Sequence, residues 1–173
     1  MAEFFDISPY QWRAILIGIL CGSMIGFERQ LRGKPVGIRT ACLITLGTYL
    51  FIATSTTLDV ENSDPARVLG QIITGIGFLG AGVMLARDGA VVGVTSAATI
   101  WVLAAVGTMI GTNNLMAAVK VSLLVVGILY GVDFLENHAK LLTRGVHSSI
   151  KNFHHRDSES KTLNSEAQDE TKD

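Results

Sequence analysis

Between Asp88 and Lys120 the chain runs for 31 residues, Gly89 to Val119, without a charged side chain. No strand is that long, and one helix of this length would extend about 46 Å, well past the roughly 30 Å of a bilayer's hydrocarbon core. The run therefore predicts two membrane-crossing helices with a break between them. Gly111-Thr112-Asn113-Asn114 supplies turn residues where that break is needed. Three further charge-free runs precede it: Ala14 to Phe27 (14 residues), Thr40 to Leu58 (19) and Val68 to Ala86 (19). Of the 29 charges, only 14 are spread over residues 10–135, whereas 13 crowd into residues 136–173. This is the pattern of an all-α, multi-pass membrane protein with five transmembrane helices, at about residues 10–27, 38–58, 67–86, 89–110 and 115–135.

The first apolar segment follows the acids Glu3 and Asp6 and is closed by Glu28, Arg29 and Arg32, so it is expected to be a retained span and not a cleaved leader. Residues 1–135 form the transmembrane domain. In residues 136–156, Leu142, Val146, Ile150 and Phe153 recur at helical spacing, with Lys140, Arg144, Lys151 and Arg156 on other faces. This segment is expected either to lie as a basic amphipathic helix on an anionic membrane surface or to continue the last span into solvent. Residues 157–173, acidic and with Leu163 as the one bulky apolar residue, are expected to be disordered.

Orientation follows from Lys and Arg on alternate sides. One side carries Arg13, Arg67 and Lys120; the other carries Arg29, Arg32, Lys34, Arg39, Arg87 and six cations after residue 139. Eleven against three places the N-terminus outside and the C-terminus in the cytoplasm, with Tyr10 and Trp12 as aromatics of the outer interface and Lys120 snorkelling outward. The near balance of 14 Lys and Arg with 15 Asp and Glu excludes a basic surface for nucleic acid. Cys21 and Cys42 both lie in apolar runs and read as packing residues. The chain contains no CxxC, HExxH or P-loop motif and no nucleophile and base at plausible spacing, so neither a cofactor nor an enzymatic activity is expected.

Seventeen of the 18 glycines fall between Gly18 and Gly131. Gly18, Gly22 and Gly26 share a helix face, as do Gly127 and Gly131, and small-residue faces let helices approach closely in lipid. The third span is denser, with Gly70, Gly75, Gly77, Gly80 and Gly82. It reads either as tight packing against Ala97, Ala98, Ala104 and Ala105 of the fourth span, or as a broken helix whose freed carbonyls line a site. Thr95, Ser96 and Thr99 are expected at a similar depth, bonding across helices or back to their own backbone. Glu28 beside Arg29, Arg32, Lys34 and Arg39 is an acid near the end of an apolar helix, where an ionisable group needs a partner. Asp64-Pro65-Ala66-Arg67 reads as a helix cap and first turn.

Gly26-Phe-Glu-Arg-Gln30, Arg32-Gly-Lys-Pro-Val-Gly-Ile-Arg-Thr40, Asp64-Pro-Ala-Arg67, the stretch Gln71 to Gly82 and Gly93-Val-Thr-Ser-Ala-Ala-Thr-Ile-Trp101 together resemble the MgtC/SapB family of bacterial inner-membrane proteins, over about residues 10–135. The resemblance implies five spans, a cytoplasmic C-terminus and a place in the bacterial inner membrane. It also implies adaptation to low magnesium, acid or life inside host cells, through contacts with other membrane proteins that include the F-type ATP synthase. Carried over by position, Glu28, Arg29, Arg39, Asp64, Arg67, Gly77, Gly80, Gly82 and Thr95 match the family pattern; Arg32 joins them as a candidate from its place in the charged loop. Longer members carry a soluble C-terminal domain where about 38 polar residues stand here, and many have a basic residue at the position of Val92. The expectation is a membrane modulator whose partners are lipid, other membrane proteins and a second copy of itself; the competing class is a small ion transporter or channel for magnesium.

Overall fold

The computed structural model describes residues 6–57, 65–87 and 90–138. Five helices account for most of them: α1 (Trp12–Leu31), α2 (Ile38–Thr57), α3 (Pro65–Gly82), α4 (Val94–Gly111) and α5 (Leu115–His138). α1, α2, α4 and α5 are each long and apolar enough to cross a membrane; the apolar stretch of α3, Ala66–Gly82, is shorter. The chain divides into Met1–Leu129 and Tyr130–Asp173, the second described only over the last turns of α5. The expected amphipathic segment 136–156 falls almost wholly, and the acidic tail entirely, outside the described residues.

Helix α2 is the hub of the first unit, with α1 on one side and α4 on another. Glycine makes both contacts possible. A methyl group at Gly26 would lie 2.6 Å from the Ile38 Cα, and one at Gly107 would lie 2.5 Å from the Thr45 carbonyl oxygen. Gly22 meets the Cys42 backbone and Gly111 meets Ile52 in the same way. Around these contacts sit two apolar clusters: Ala14, Cys21, Tyr49, Val106, Ile110 and Ala118 toward one end, and Ile25, Val36, Ala41, Ile100 and Leu103 toward the other. Cys21 is fully buried, as a packing residue should be. α5 joins through Ala118 and Ser122, both fully buried. At its N-terminal end α1 is tied to α2 by Tyr10, whose hydroxyl lies 2.9 Å from Thr54 Oγ1 and whose ring meets Tyr49 edge-on at 6.5 Å.

The partition of side chains is inverted relative to a water-soluble protein. Glu28, Arg29, Thr45, Thr48, Ser96, Thr99 and Ser122 are buried, while Leu16, Phe27, Leu43, Phe51, Phe78 and Trp101 are exposed. In lipid the apolar exterior carries no penalty and polar groups seek one another inside.

The break expected at Gly111 to Asn114 is present. Asn113 takes φ 62°, and the Asn114 and Asn113 N–H groups donate to the Met109 and Ile110 carbonyls, the double bond of a Schellman closure. The connection between α3 and α4 differs from expectation. Where continuous helix was expected to residue 86 and again from 89, Leu85–Arg87 and Ala90–Val92 pair as a short antiparallel ribbon in the register Leu85↔Val92, Ala86↔Val91, Arg87↔Ala90. α4 then starts after Gly93, at φ 92°. That left-handed conformation suits glycine, and the adjacent Val91 and Val92 favour extended backbone.

Candidate functional site

The end of the bundle where α1 meets α2 collects Arg29, Arg32, Lys34 and Arg39. Its geometry begins with how α1 stops. Gly33 adopts φ 61°, its N–H donates to the Gln30 carbonyl at 3.1 Å, and the Lys34 N–H donates to the Arg29 carbonyl at 3.0 Å. This second Schellman closure turns the chain sharply, and Pro35 prevents the helix from continuing. Gln30 Oε1 then accepts the Ile38 N–H at 3.4 Å, so a side chain of α1 caps the start of α2. Val36 closes the loop at φ 70°, a conformation that a β-branched residue rarely adopts. Its side chain is buried with Ile25, Ala41, Ile100 and Leu103, and that packing offsets the backbone cost.

The closure holds Glu28 and Arg29 inward, at 6% and 3% exposure. Arg29 Nη2 donates to Ser96 Oγ at 3.0 Å, joining the end of α1 to the first turn of α4 across 67 residues. Glu28 Oε1 pairs with Arg32 Nε one turn on. Among the described residues neither carboxylate oxygen of Glu28 nor the Arg29 Nε has a hydrogen-bond partner, so the Glu28–Arg32 contact acts as an ion pair without good hydrogen-bond geometry. Glu28 is thus a buried carboxylate with spare acceptor capacity, paired with the Arg32 guanidinium one turn on, while the neighbouring Arg29 bonds to Ser96.

Of the residues expected at a site, Glu28, Arg29 and Arg32 come together, and Ser96 completes the group. Sequence reasoning placed Ser96 at a similar depth without naming it as the partner of Arg29; no local pattern marks a contact across 67 residues. Thr95 is exposed and offers its carbonyl to Thr99 Oγ1 at 2.8 Å, so it stands apart from the cluster. Arg39 is exposed at the second position of α2, and Arg67 is exposed near the start of α3. Asp64 lies outside the described residues.

The glycine-rich third helix is continuous, not broken, and it does not pack as densely as expected. Gly80 alone of its glycines meets α4, with its added methyl 3.7 Å from Ala97; Gly70, Gly75, Gly77 and Gly82 face open space. Gly127 on α5 likewise has nothing within 4 Å. Three faces of α3 can be separated by helical spacing. One, with Ile76 and Gly80, meets the core and α4. A second, with Gln71, Gly75 and Leu79, lines a groove against α2. The third carries Gly70, Thr74, Gly77 and Ala81, all exposed and all small.

A helical bundle with its large apolar side chains outward and a buried acid–guanidinium cluster at its cationic end defines an all-α, multi-pass membrane protein. The profile of the MgtC family matches residues 15–138. The chain belongs to that family. It is 47% identical over 108 residues to "Putative magnesium transporter YhiD" of Escherichia coli (strain K12), a match covering 58% of this chain and 50% of that protein. It is 38% identical over 109 residues to "Protein MgtC" of Brucella abortus (strain 2308), covering 63% and 45% respectively. It is also 37% identical over 125 residues to "Protein MgtC" of Salmonella typhimurium (strain 14028s / SGSC 2262), covering 72% and 53%. The chain spans about half the length of these relatives. No solved structure matches it.

Proposed function

We propose that this protein modulates magnesium-related physiology of the bacterial inner membrane by docking onto other membrane proteins, without catalysing a reaction. The observation that carries this reading is the exposed face Gly70, Thr74, Gly77 and Ala81 of α3. The Gly22–Gly26 and Gly107–Gly111 faces are occupied by internal packing, whereas among the described residues nothing lies within 4 Å of a methyl added at Gly70 or Gly77, a feature shared only by the Gly127–Gly131 face of α5 among the paired glycine faces. In lipid, close backbone approach between small residues is a main source of helix association, so such a face fits a transmembrane helix of a partner. The family resemblance points to the F-type ATP synthase as that partner. In this reading the N-terminus lies outside and the cationic end of the bundle faces the cytoplasm.

The name of the Escherichia coli relative supplies a second reading, magnesium transport. Among the described residues no group of three or more His, Cys, Asp or Glu gathers to hold a metal ion, and Glu28 is already paired with Arg32, whereas Mg²⁺ prefers several oxygen ligands. The experiment compares Gly77→Leu with Gly127→Leu, two substitutions at equally open positions on different helices. Gly77→Leu should abolish recovery of ATP synthase and the growth advantage in low magnesium while yield and helicity stay unchanged; Gly127→Leu should change neither. Mg²⁺ flux into liposomes by the purified protein, lost on Glu28→Gln, would instead establish transport.

A further inference from the structure

We propose that the groove between α2 and α3 binds one anionic phospholipid, its phosphate at Arg39 and an acyl chain between Leu43 and Gly47 of α2 and Gly75, Ile76 and Leu79 of α3. This goes beyond the docking function above and uses a different face of α3. The groove has a volume of about 890 Å³, within the range of sites that hold small organic ligands. Along α2 it extends from Arg39 to Ser55, about 24 Å at the helical rise.

Its chemistry changes along that length. From Arg39 to Gly47 the walls are apolar apart from the Arg39 and Thr40 side chains; Thr48 follows midway, and the far end carries Thr54, Ser55 and Gln71. An acyl chain of one leaflet occupies about 15 Å, half the hydrocarbon core, and therefore about ten residues of helix. Counted from Arg39, that length ends before the polar far end begins. Among the described residues Arg39 is the one charged residue of the lining and no acid accompanies it; it stands exposed at the second position of α2, at headgroup depth. A phosphate diester meets it there as an ion pair, with the chain directed along the apolar walls. A partner helix in the same groove would have to bring an acid of its own to that depth.

The lining also provides the test. Gly47 and Gly75 both face the groove, and neither has a heavy atom within 4 Å of an added methyl. Leucine at either position projects into the groove from a Cβ that itself meets no atom, and it removes a helix-weakening glycine. Native mass spectrometry of the full chain in neutral detergent, with phosphatidylglycerol or phosphatidylcholine of identical chains, reads the occupancy. The expected result is one phosphatidylglycerol retained at concentrations that leave phosphatidylcholine unbound. Arg39→Gln should weaken retention about fivefold, as expected for one cation near the surface. Gly47→Leu and Gly75→Leu should each abolish it with unchanged circular dichroism. Equal retention of the two lipids, insensitivity to Arg39→Gln, full retention in both leucine variants, displacement by inorganic phosphate alone, or crosslinking of a second copy through a cysteine at Leu43 would each overturn the proposal.

Discussion

The same substitution, glycine to alanine, should have opposite effects at Gly26 and at Gly77. In an open helical position alanine is favoured by roughly 0.5–1 kcal/mol, because glycine loses more backbone freedom on ordering. At Gly77 nothing lies within 4 Å of the new methyl, so the variant should gain that amount. At Gly26 the methyl would meet Ile38 Cα at 2.6 Å, Ile38 N at 2.8 Å and the Ala41 Cβ at 2.9 Å. These are backbone and Cβ atoms, which cannot rotate away, so α1 and α2 must separate by about 1 Å to restore ordinary contact near 3.6 Å. Overpacking of this kind costs about 1–3 kcal/mol, which leaves Gly26→Ala less stable by up to about 2.5 kcal/mol after the helical gain. Thermal unfolding followed by circular dichroism in one detergent, with wild type and both variants side by side, measures the difference. Melting temperatures that move in the same direction for Gly26→Ala and Gly77→Ala would refute the assignment of α1–α2 as a close-packed pair and α3 as an open one.

Ser96→Ala should destabilise by about 1–3 kcal/mol, since it leaves a buried guanidinium N–H unmatched, and a double-mutant cycle with Arg29→Met should return a coupling above about 0.5 kcal/mol. Strict additivity of the two changes would show that the hydrogen bond contributes nothing. For orientation, in a background lacking Cys21 and Cys42, a cysteine replacing Asn62 should react with a membrane-impermeant reagent on intact cells, and one replacing Ser160 only after permeabilisation. The reverse pattern would invert the charge-based orientation.

Much of this architecture could be read before any coordinates, because a long run without charge has few physical solutions. The helical break at Asn113 followed from turn chemistry, and it and the break at Gly33 inside the charged loop both prove to be left-handed helix closures. The ribbon at Leu85–Arg87 and Ala90–Val92 was concealed because its residues are as apolar as the helices beside it. Glycine density misled where glycine spacing informed. Gly22 and Gly26, four apart, pack as their spacing implies. Gly107 and Gly111 have the same spacing and the same role, yet they were hidden within the long charge-free run. The five glycines of α3 suggested either one packed surface or a broken helix, but the helix is continuous and Gly80, Gly75 and the pair Gly70 and Gly77 fall on three different faces, a division that appears only when each is assigned its angle around the helix.

The bond between Arg29 and Ser96 also sets an order of events during biosynthesis. At 5–20 residues per second, the 67 residues between them take about 3–13 s to emerge. Throughout that interval α1 is already made while its buried guanidinium has no serine to meet. Arg29 must spend it at the headgroup layer, reached by its own long side chain, and it can move inward only when α4 has entered the membrane. Burial of this one arginine therefore marks the moment at which the first and fourth helices have found each other. A chain arrested before α4 would keep the arginine at the water interface, with no serine to draw it inward.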